Sequence, residues 1–215
     1  MNREKIVPLA SAVREFIHDG DHVALEGFTH LIPHAAGHEI IRQRKLNLTL
    51  SRMTPDIIYD QMIGMGVATT LNFSWGGNPG VGSLHRFRDA VERGWPHPLI
   101  LQERSHADMA NAYVAGASGL PFAVFDGYRG SDLGKDNPRV KPITCPFTGE
   151  VFVATPSLRP DVAVIHAQQA DRAGNVLWWG IAGVQKEAAM AAKRVIVTVE
   201  EIVDDLEPRA SSTLL

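Results

Sequence analysis

Apolar positions along this chain alternate between two periods. Residues 9, 10, 12, 13, 16 and 17 are apolar, the i, i+3, i+4 stripe of a helix resting on a core, and Asp19-Gly20-Asp21 ends it. "HVALEGF" follows, a short apolar run into a glycine, which predicts a strand and then a loop. "IPHAAGHEIIRQRK" predicts a helix opened by Pro33 and closed by cations. "LNLTLSRM" alternates as strands do, and "PDIIYDQMIGMG" reads as a helix. "VATTLNFSW" is a β-branched and aromatic strand running straight into a glycine loop. Ser83 stands where it would cap the next helix, "LHRFRDAVERG", and Gly94 where it would stop it.

The same alternation continues with the strand "PLILQE", the alanine-rich helix "HADMANAYVAGASG" and the strand "LPFAVFDG". Residues 128–142 are polar and rich in Gly, Asp and Pro, which predicts an excursion over the surface. "ITCPFTGEVFVAT" reads as a hairpin around Thr148-Gly149, "DVAVIHAQQ" as a buried strand, "GVQKEAAMAAKR" as a helix and "VIVTVEEIV" as the last strand. Repeated strand–helix pairs predict an α/β fold, a mainly parallel sheet with helices on both faces. No internal repeat or low-complexity linker divides the chain, so residues 1–215 are expected to form a single domain. The last strand is barely complete before the tail "DDLEPRASSTLL", and the expectation is that the domain lacks a C-terminal segment.

Composition narrows the function. The 215 residues are 45% apolar and 21% charged with a net charge of −3, ordinary for a globular chain. No Lys/Arg run rises above its surroundings, which argues against a nucleic-acid partner. No window approaches the roughly 20 apolar residues of a membrane span, and the N-terminus has no signal-peptide core. Cys145 is the one cysteine, so no internal disulfide forms and a cytoplasmic setting is expected, with Cys145 a small buried residue.

Ligands of open α/β sheets bind beyond the carboxyl ends of the strands, and four loops fall there: "EGFTHLIP", "SWGGNPGVGS", "ERSHAD" and "HAQQADRAGN". Gly27 directly follows a strand, where a glycine lets backbone amides approach a ligand oxygen. Gly77 and Gly82 have the G-x-x-x-x-G spacing of a phosphate-binding loop, but Ser83 and Leu84 stand where its lysine would be. A nucleoside triphosphatase is therefore disfavoured. Amides from Gly76, Gly77, Gly80 and Gly82 suit a carboxylate, a thioester carbonyl or a diphosphate better. Glu103 at a strand end is a candidate base or ligand orienter, beside Ser105, His106 and Asp108; capping is the competing role of His106 and Asp108. Gln168 and Gln169 both donate and accept, as recognition of a polar acyl group requires, and residues 171–175 read as a turn. His30, His34 and His38 recur every fourth residue with no H-E-x-x-H and no completing carboxylate, so no metal is expected. A G-x-S-x-G elbow is also absent.

Taken in order, these loops resemble those of the family I CoA-transferases, and in particular A (α) subunits of the glutaconate CoA-transferase type. "DGDHVALEGFTHLIP" is similar to that family's first signature, "RFRDAVERG" follows a loop lining the acyl site, and "ASGLPF" and "PDVAVIHAQQADRAGNVLWWG" match its later core. The likeness spans about residues 7 to 203. It implies a Rossmann-type fold shared with sugar-phosphate isomerases, and CoA exchange between an acyl-CoA and a carboxylic acid, including dicarboxylic acids. It also implies that the nucleophilic glutamate, in an S-E-N-G motif absent here, lies on a separate B (β) subunit, in an αβ or α2β2 assembly. Coenzyme A enters as part of the substrate, with no bound cofactor. The resemblance carries Gly27, Phe28, Gly77, Asn78, Gly80, Gln168 and Gln169 over as pocket residues. Two departures stand out: the family's Gly-Gly-Phe reads Glu26-Gly27-Phe28 here, and its A subunits extend well past 215 residues. A related reading is a ring-cleaving hydrolase of CoA thioesters in which Glu103 does the chemistry, and a third is a ligand sensor on the same fold.

Overall fold

The structure, a computed structural model, describes residues 5–28, 30–77, 82–135, 137–207 and 212–215. Its strands are β1 (His22–Leu25), β2 (Leu48–Ser51), β3 (Ala68–Phe73), β4 (Ile100–Glu103), β5 (Phe122–Phe125), β6 (Lys141–Thr144), β7 (Val151–Pro156), β8 (Val162–Asp171), β9 (Val176–Trp179), β10 (Arg194–Val203) and β11 (Ser212–Leu214). Its α-helices are α1 (Leu9–Phe16), α2 (His34–Arg42), α3 (Ile57–Gly64), α4 (His85–Arg93), α5 (His106–Ala117) and α6 (Gln185–Ala191).

The long strand β8 organises the main sheet. One edge pairs in parallel with β10 over its whole length, Val162 opposite Arg194 and Asp171 opposite Val203. The other edge is divided: Val162, Ala163 and Val164 pair with β1 in parallel, while Gln169 and Ala170 pair with β9 antiparallel. From β1 the parallel ladder steps outward through β2 and β3 to β4. The α/β sheet predicted from the strand–helix alternation is thus mainly parallel.

Helices cover both faces, because successive side chains of a strand point to opposite sides. Val23 and Leu25 join Val13, Ile17, Ile40, Ile58 and Met62 under α1 to α4. Ala24 between them joins Met109, Ala112, Tyr113 and Ala188 under α5 and α6. A strand buried on both faces reads as a continuous apolar run, which is why "HVALEGF" was legible. Local chemistry ends the helices as well. Asp56 caps α3 by accepting the Ile58 N–H at 3.3 Å, and Gly94 ends α4 in the left-handed region at φ 65°.

Four expectations are corrected. Ser83 does not cap α4; the helix begins one residue later than such a cap needs, with Leu84 at its N-cap and no side-chain cap bond. "LPFAVFDG" forms β5 outside the parallel sheet, antiparallel to β7 in a separate β5-β7-β6 sheet. β10 is not the last strand, since β11 follows and pairs antiparallel with β9. Cys145 is half-buried at the β6–β7 turn, not in the core. That hairpin itself forms as read, with Thr144 opposite Val151.

A buried knot ties the small sheet to the start of α5. Arg104 donates to Asp108 at 3.1 Å and to the Pro156 carbonyl at 3.3 Å. Asp108 also accepts from Thr155 at 2.5 Å and from Tyr128 at 2.7 Å. Arg104 and Asp108 are both almost wholly excluded from solvent, so each charge needs the other.

Helix α5 also touches backbone directly. A Cβ at Gly116 would stand 2.0 Å from the Leu158 carbonyl oxygen. In an open helix Gly→Ala stabilises, by up to about 1 kcal/mol, whereas overpacking a filled site costs about 1 to 3 kcal/mol. Gly116→Ala is therefore expected to destabilise, by about 2 kcal/mol, read as a lower midpoint in urea unfolding. A raised midpoint would show that α5 has room to move.

Candidate functional site

The parallel strands β1 to β4 end together, and their following loops are sewn to one another by polar contacts. Glu26, the residue after β1, is only 2% exposed. Its Oε1 accepts the Tyr113 hydroxyl from α5 at 2.9 Å and the Met53 backbone N–H, beyond β2, at 3.2 Å. Arg52, which precedes Met53, reaches back the other way, and its Nη2 donates to the Gly27 carbonyl at 2.9 Å. Each strand end therefore uses a side chain to hold the backbone of its neighbour's loop. Arg52 Nη1 also lies 3.1 Å from Asp56 Oδ1, a charge pairing off the hydrogen-bond line. Ser74, after β3, continues the seam: its hydroxyl donates to the Met53 carbonyl at 2.7 Å and lies 2.9 Å from His106 Nδ1 at the start of α5.

Burial sets the electrostatics. Removal from water pushes the Glu26 carboxyl up to about 7, against the opposing pull of Arg52 and of the bonds from Tyr113 and Met53. Burial, then the neighbouring Glu26, raises both Tyr59 and Tyr113 well above the usual phenol value. These hydroxyls remain protonated donors: Tyr59 donates a hydrogen bond to the Ser51 carbonyl at 2.7 Å.

Gly27 is required where it stands. Its φ is +142°, and a Cβ there would fall 1.9 Å from the Leu31 carbonyl oxygen, so no other residue fits without moving backbone. Among the described residues neither the Gly27 nor the Phe28 amide donates a hydrogen bond, and Phe28 stands exposed beside them. The extra side chain of Glu26 does not fill the approach that a glycine would leave open. It turns under the loop, onto the face of the sheet covered by α5.

The remaining predicted residues are dispersed. Gly77 gives its amide to the Pro55 carbonyl at 3.1 Å, so that amide holds the loop instead of standing free. Asn78 and Gly80 lie outside the described residues. Glu103 is the last residue of β4, with its side chain in solvent. Ser105 caps α5 by accepting the Asp108 N–H at 3.0 Å; neither His106 nor Asp108 takes the capping role.

Gln168 and Gln169 sit within β8, not in a loop, and adjacent strand residues face opposite sides. Gln168 is buried and exchanges two 3.2 Å bonds with the Trp179 backbone, filling the ladder where β9 leaves β8. Gln169 donates to Glu201 of β10 at 2.9 Å. His38 is engaged by Gln61 at 2.8 Å, and among the described residues no three His, Cys, Asp or Glu side chains form a metal-sized group. An open cleft of about 610 Å³ lies by Tyr128, Arg129 and Lys135 against the small sheet, touching none of these residues.

Sequence reasoning missed Arg52, Tyr113 and Gln185. Arg52 is hidden in the polar end of "LNLTLSRM", and Tyr113 in an alanine-rich helix. Gln185 is fully buried, and among the described residues neither of its amide atoms is hydrogen-bonded; its Oε1 lies against the Cα side of Gly27. The one available signal was Glu26 itself, a charge at the end of an apolar strand that must find partners inside.

Loops at the carboxyl ends of parallel strands are where open α/β folds bind ligands in general, and likeness to known proteins narrows the class. The chain belongs to the coenzyme A transferase family, whose model matches residues 7–213. It is 69% identical to the A subunit of 3-oxoadipate CoA-transferase from Pseudomonas knackmussii, over 98% of its own length and 75% of the relative's. It is 35% identical to the A subunit of glutaconate CoA-transferase from Acidaminococcus fermentans, over 97% of this chain and 70% of that one. The crystal structure of the Acidaminococcus fermentans enzyme superposes with a TM-score of 0.86, covering 94% of this chain and 68% of that one. The decarboxylase AibA/AibB superposes at 0.85 with 29% identity, over 95% of this chain and 78% of that one.

The raised carboxyl gives stability a sign. The folded pKa of Glu26, about 7, lies above its ordinary value, so the folded state holds the proton more tightly and stability is lost as pH rises through that value. Between pH 6.5 and 8 the wild-type chain is expected to lose roughly 1 kcal/mol relative to Glu26→Gln. Urea unfolding of both proteins at the two pH values measures it. The difference isolates Glu26, because His22, pushed down to about 4 chiefly by burial, titrates in both. An unchanged difference would mean that the carboxyl does not titrate in this range.

Proposed function

We infer that this chain is the A subunit of a two-subunit, cytoplasmic CoA-transferase that moves CoA from an acyl-CoA thioester to a carboxylic acid. The acid of first choice is a dicarboxylic 3-oxo acid, 3-oxoadipate. The observation that carries this is the 69% identity, across 98% of the chain, to the A subunit of a 3-oxoadipate CoA-transferase. The geometry of the β1 loop supports it: a glycine with no room for a side chain, followed by an exposed aromatic, presents two consecutive amides beyond a strand end.

In this reading a B-subunit glutamate attacks the thioester carbonyl carbon. The carbonyl oxygen becomes an oxyanion, and collapse expels CoA thiolate and leaves an acyl-glutamyl anhydride. The thiolate then attacks the glutamyl carbonyl, releasing the first acid and leaving a glutamyl-CoA thioester, which the second acid takes through the same steps in reverse. The Gly27 and Phe28 amides are the donors this chain offers to the developing oxyanion. The family likeness assigns Gly77, Asn78 and Gly80, in the loop sequence after β3, to the acyl pocket as well. Gln168 holds the β8–β9 fork through the Trp179 backbone, and Gln169 and Ser105 are kept as further pocket candidates. An αβ or α2β2 assembly completes the site, with no cofactor beyond the CoA carried by the substrate.

The test is co-expression with a CoA-transferase B subunit. The complex should pass CoA to 3-oxoadipate, this chain alone should not, and borohydride should reduce and trap the thioester on a B-subunit glutamate. In the complex Gly27→Ala should lower kcat by about 100-fold, and Glu103→Gln should leave transfer intact. Transfer by the isolated chain would overturn the assignment. Loss of all activity on replacing Glu103 would favour the ring-hydrolase reading instead.

A further inference from the structure

We propose that Glu26 is a positioning residue for CoA transfer: in its ionised form it clamps the end of β1 to the end of β2, and so lets Arg52 aim the Gly27-Phe28 amides at the substrate. This rests on the transferase reading above and adds a residue that sits where relatives are expected to carry glycine.

The clamp is closed from two directions. Glu26 Oε1 holds the Met53 N–H, one residue past Arg52, and Arg52 Nη2 holds the Gly27 carbonyl, one residue past Glu26. Moving either backbone therefore moves the other. On the far side of Gly27 a neighbouring polar group is Gln185, whose amide atoms make no hydrogen bond among the described residues. Backbone bonds hold the residues on either side, Glu26 to Val164 and Phe28 to Leu31, while the Gly27 carbonyl itself is held by Arg52. Arg52 in turn is 2% exposed in its side chain, and among the described residues two of its nitrogens, Nε and Nη1, find no hydrogen-bond acceptor. A cation so sparsely bonded is held in place by nearby anions, Glu26 and Asp56, more than by directional contacts.

The charged and titratable groups facing Glu26 are few. Arg52 comes from the β2 loop, Tyr113 from α5 and Tyr59 from α3, with Asp56 beyond Arg52 and Arg104 beyond Tyr113. From α6 the neutral Gln185 approaches Gly27. Both phenols stay protonated, and burial pushes His34, which faces Asp56 and Arg52, below the usual imidazole value, whereas the Glu26 carboxyl is pushed up to about 7. When it takes up a proton, Oε1 becomes a weaker acceptor for Met53 and Tyr113, and Arg52 loses one of its two anions. The Gly27 peptide is then free to tilt away from the acyl site.

This makes a prediction that a purely structural residue does not share. Ionising Glu26 costs stability, as worked out above, yet on this proposal it raises activity. In the co-expressed two-subunit complex, kcat for CoA transfer should therefore rise with pH between 6 and 8, while the thermal midpoint of the same complex falls or stays level. Glu26→Gln should remove that rise and lower kcat by about tenfold at pH 8, with KM for the acyl-CoA changed less than about twofold. Arg52→Lys keeps the cation but loses the reach to the Gly27 carbonyl. It should lower kcat and retain the pH-dependent rise. The proposal is overturned if Glu26→Gln keeps the wild-type pH profile, or if its kcat falls only in proportion to the folded, assembled fraction measured by gel filtration. A complex that transfers CoA to no carboxylic acid overturns the transferase reading, and this proposal with it.

Discussion

Much of the structure turns on the reciprocal hold between the ends of β1 and β2. A buried carboxylate and a buried guanidinium are costly to desolvate. Here they do not direct their hydrogen bonds at each other: Glu26 takes the Met53 N–H and Arg52 gives to the Gly27 carbonyl. Irregular backbone just past a strand has no ladder partner, and buried backbone groups need one. The two side chains supply it for two loops at once. From Met53 the same arrangement continues to Ser74 and His106, so that loops following three different strands share one hydrogen-bonded seam.

Behind that seam, β8 sets the layout. Its inner stretch is buried among apolar neighbours from Val162 to Ile165, and its outer stretch has to serve both β10 and the departing β9. Gln168 makes the fork possible, because its side-chain amide imitates a backbone unit against Trp179. The small sheet is joined to the rest by another buried ionic group, Arg104 with Asp108, beside the exposed Glu103 of β4. Polar residues in this fold are thus used chiefly at junctions, where strands part and regular pairing fails.

The fold alone does not choose the chemistry. A glutaconate CoA-transferase and a decarboxylase both superpose on this chain at TM-scores above 0.8. What differs among such proteins must lie in the loops at the carboxyl edge and in what meets them. The glutamate before Gly27 turns its side chain inward, to Tyr113 and Met53, and so adds a titratable group beneath the β1 loop.

The sequence by itself determined most of the strand–helix order, though neither β9 nor β11, together with the parallel sheet, the hairpin around Thr148-Gly149, the helix stop at Gly94 and the glycine that the backbone at position 27 requires. Each is written in a local period or in a residue whose backbone freedom is unusual, and such signals survive without tertiary context. It also carried the family, through the motifs from "EGFTHLIP" to "VIHAQQADRAGN". Only the tertiary structure decided which partners the polar residues take. Gln168 and Gln169 are neighbours in sequence and look like one recognition pair, yet strand geometry sends them to opposite faces. Glu26 and Tyr113 lie 87 positions apart and meet because β1 and α5 pack on the same face of the sheet. Periodicity fixes which face a residue takes; where a side chain's hydrogen bond ends is fixed by the residues that packing brings opposite it.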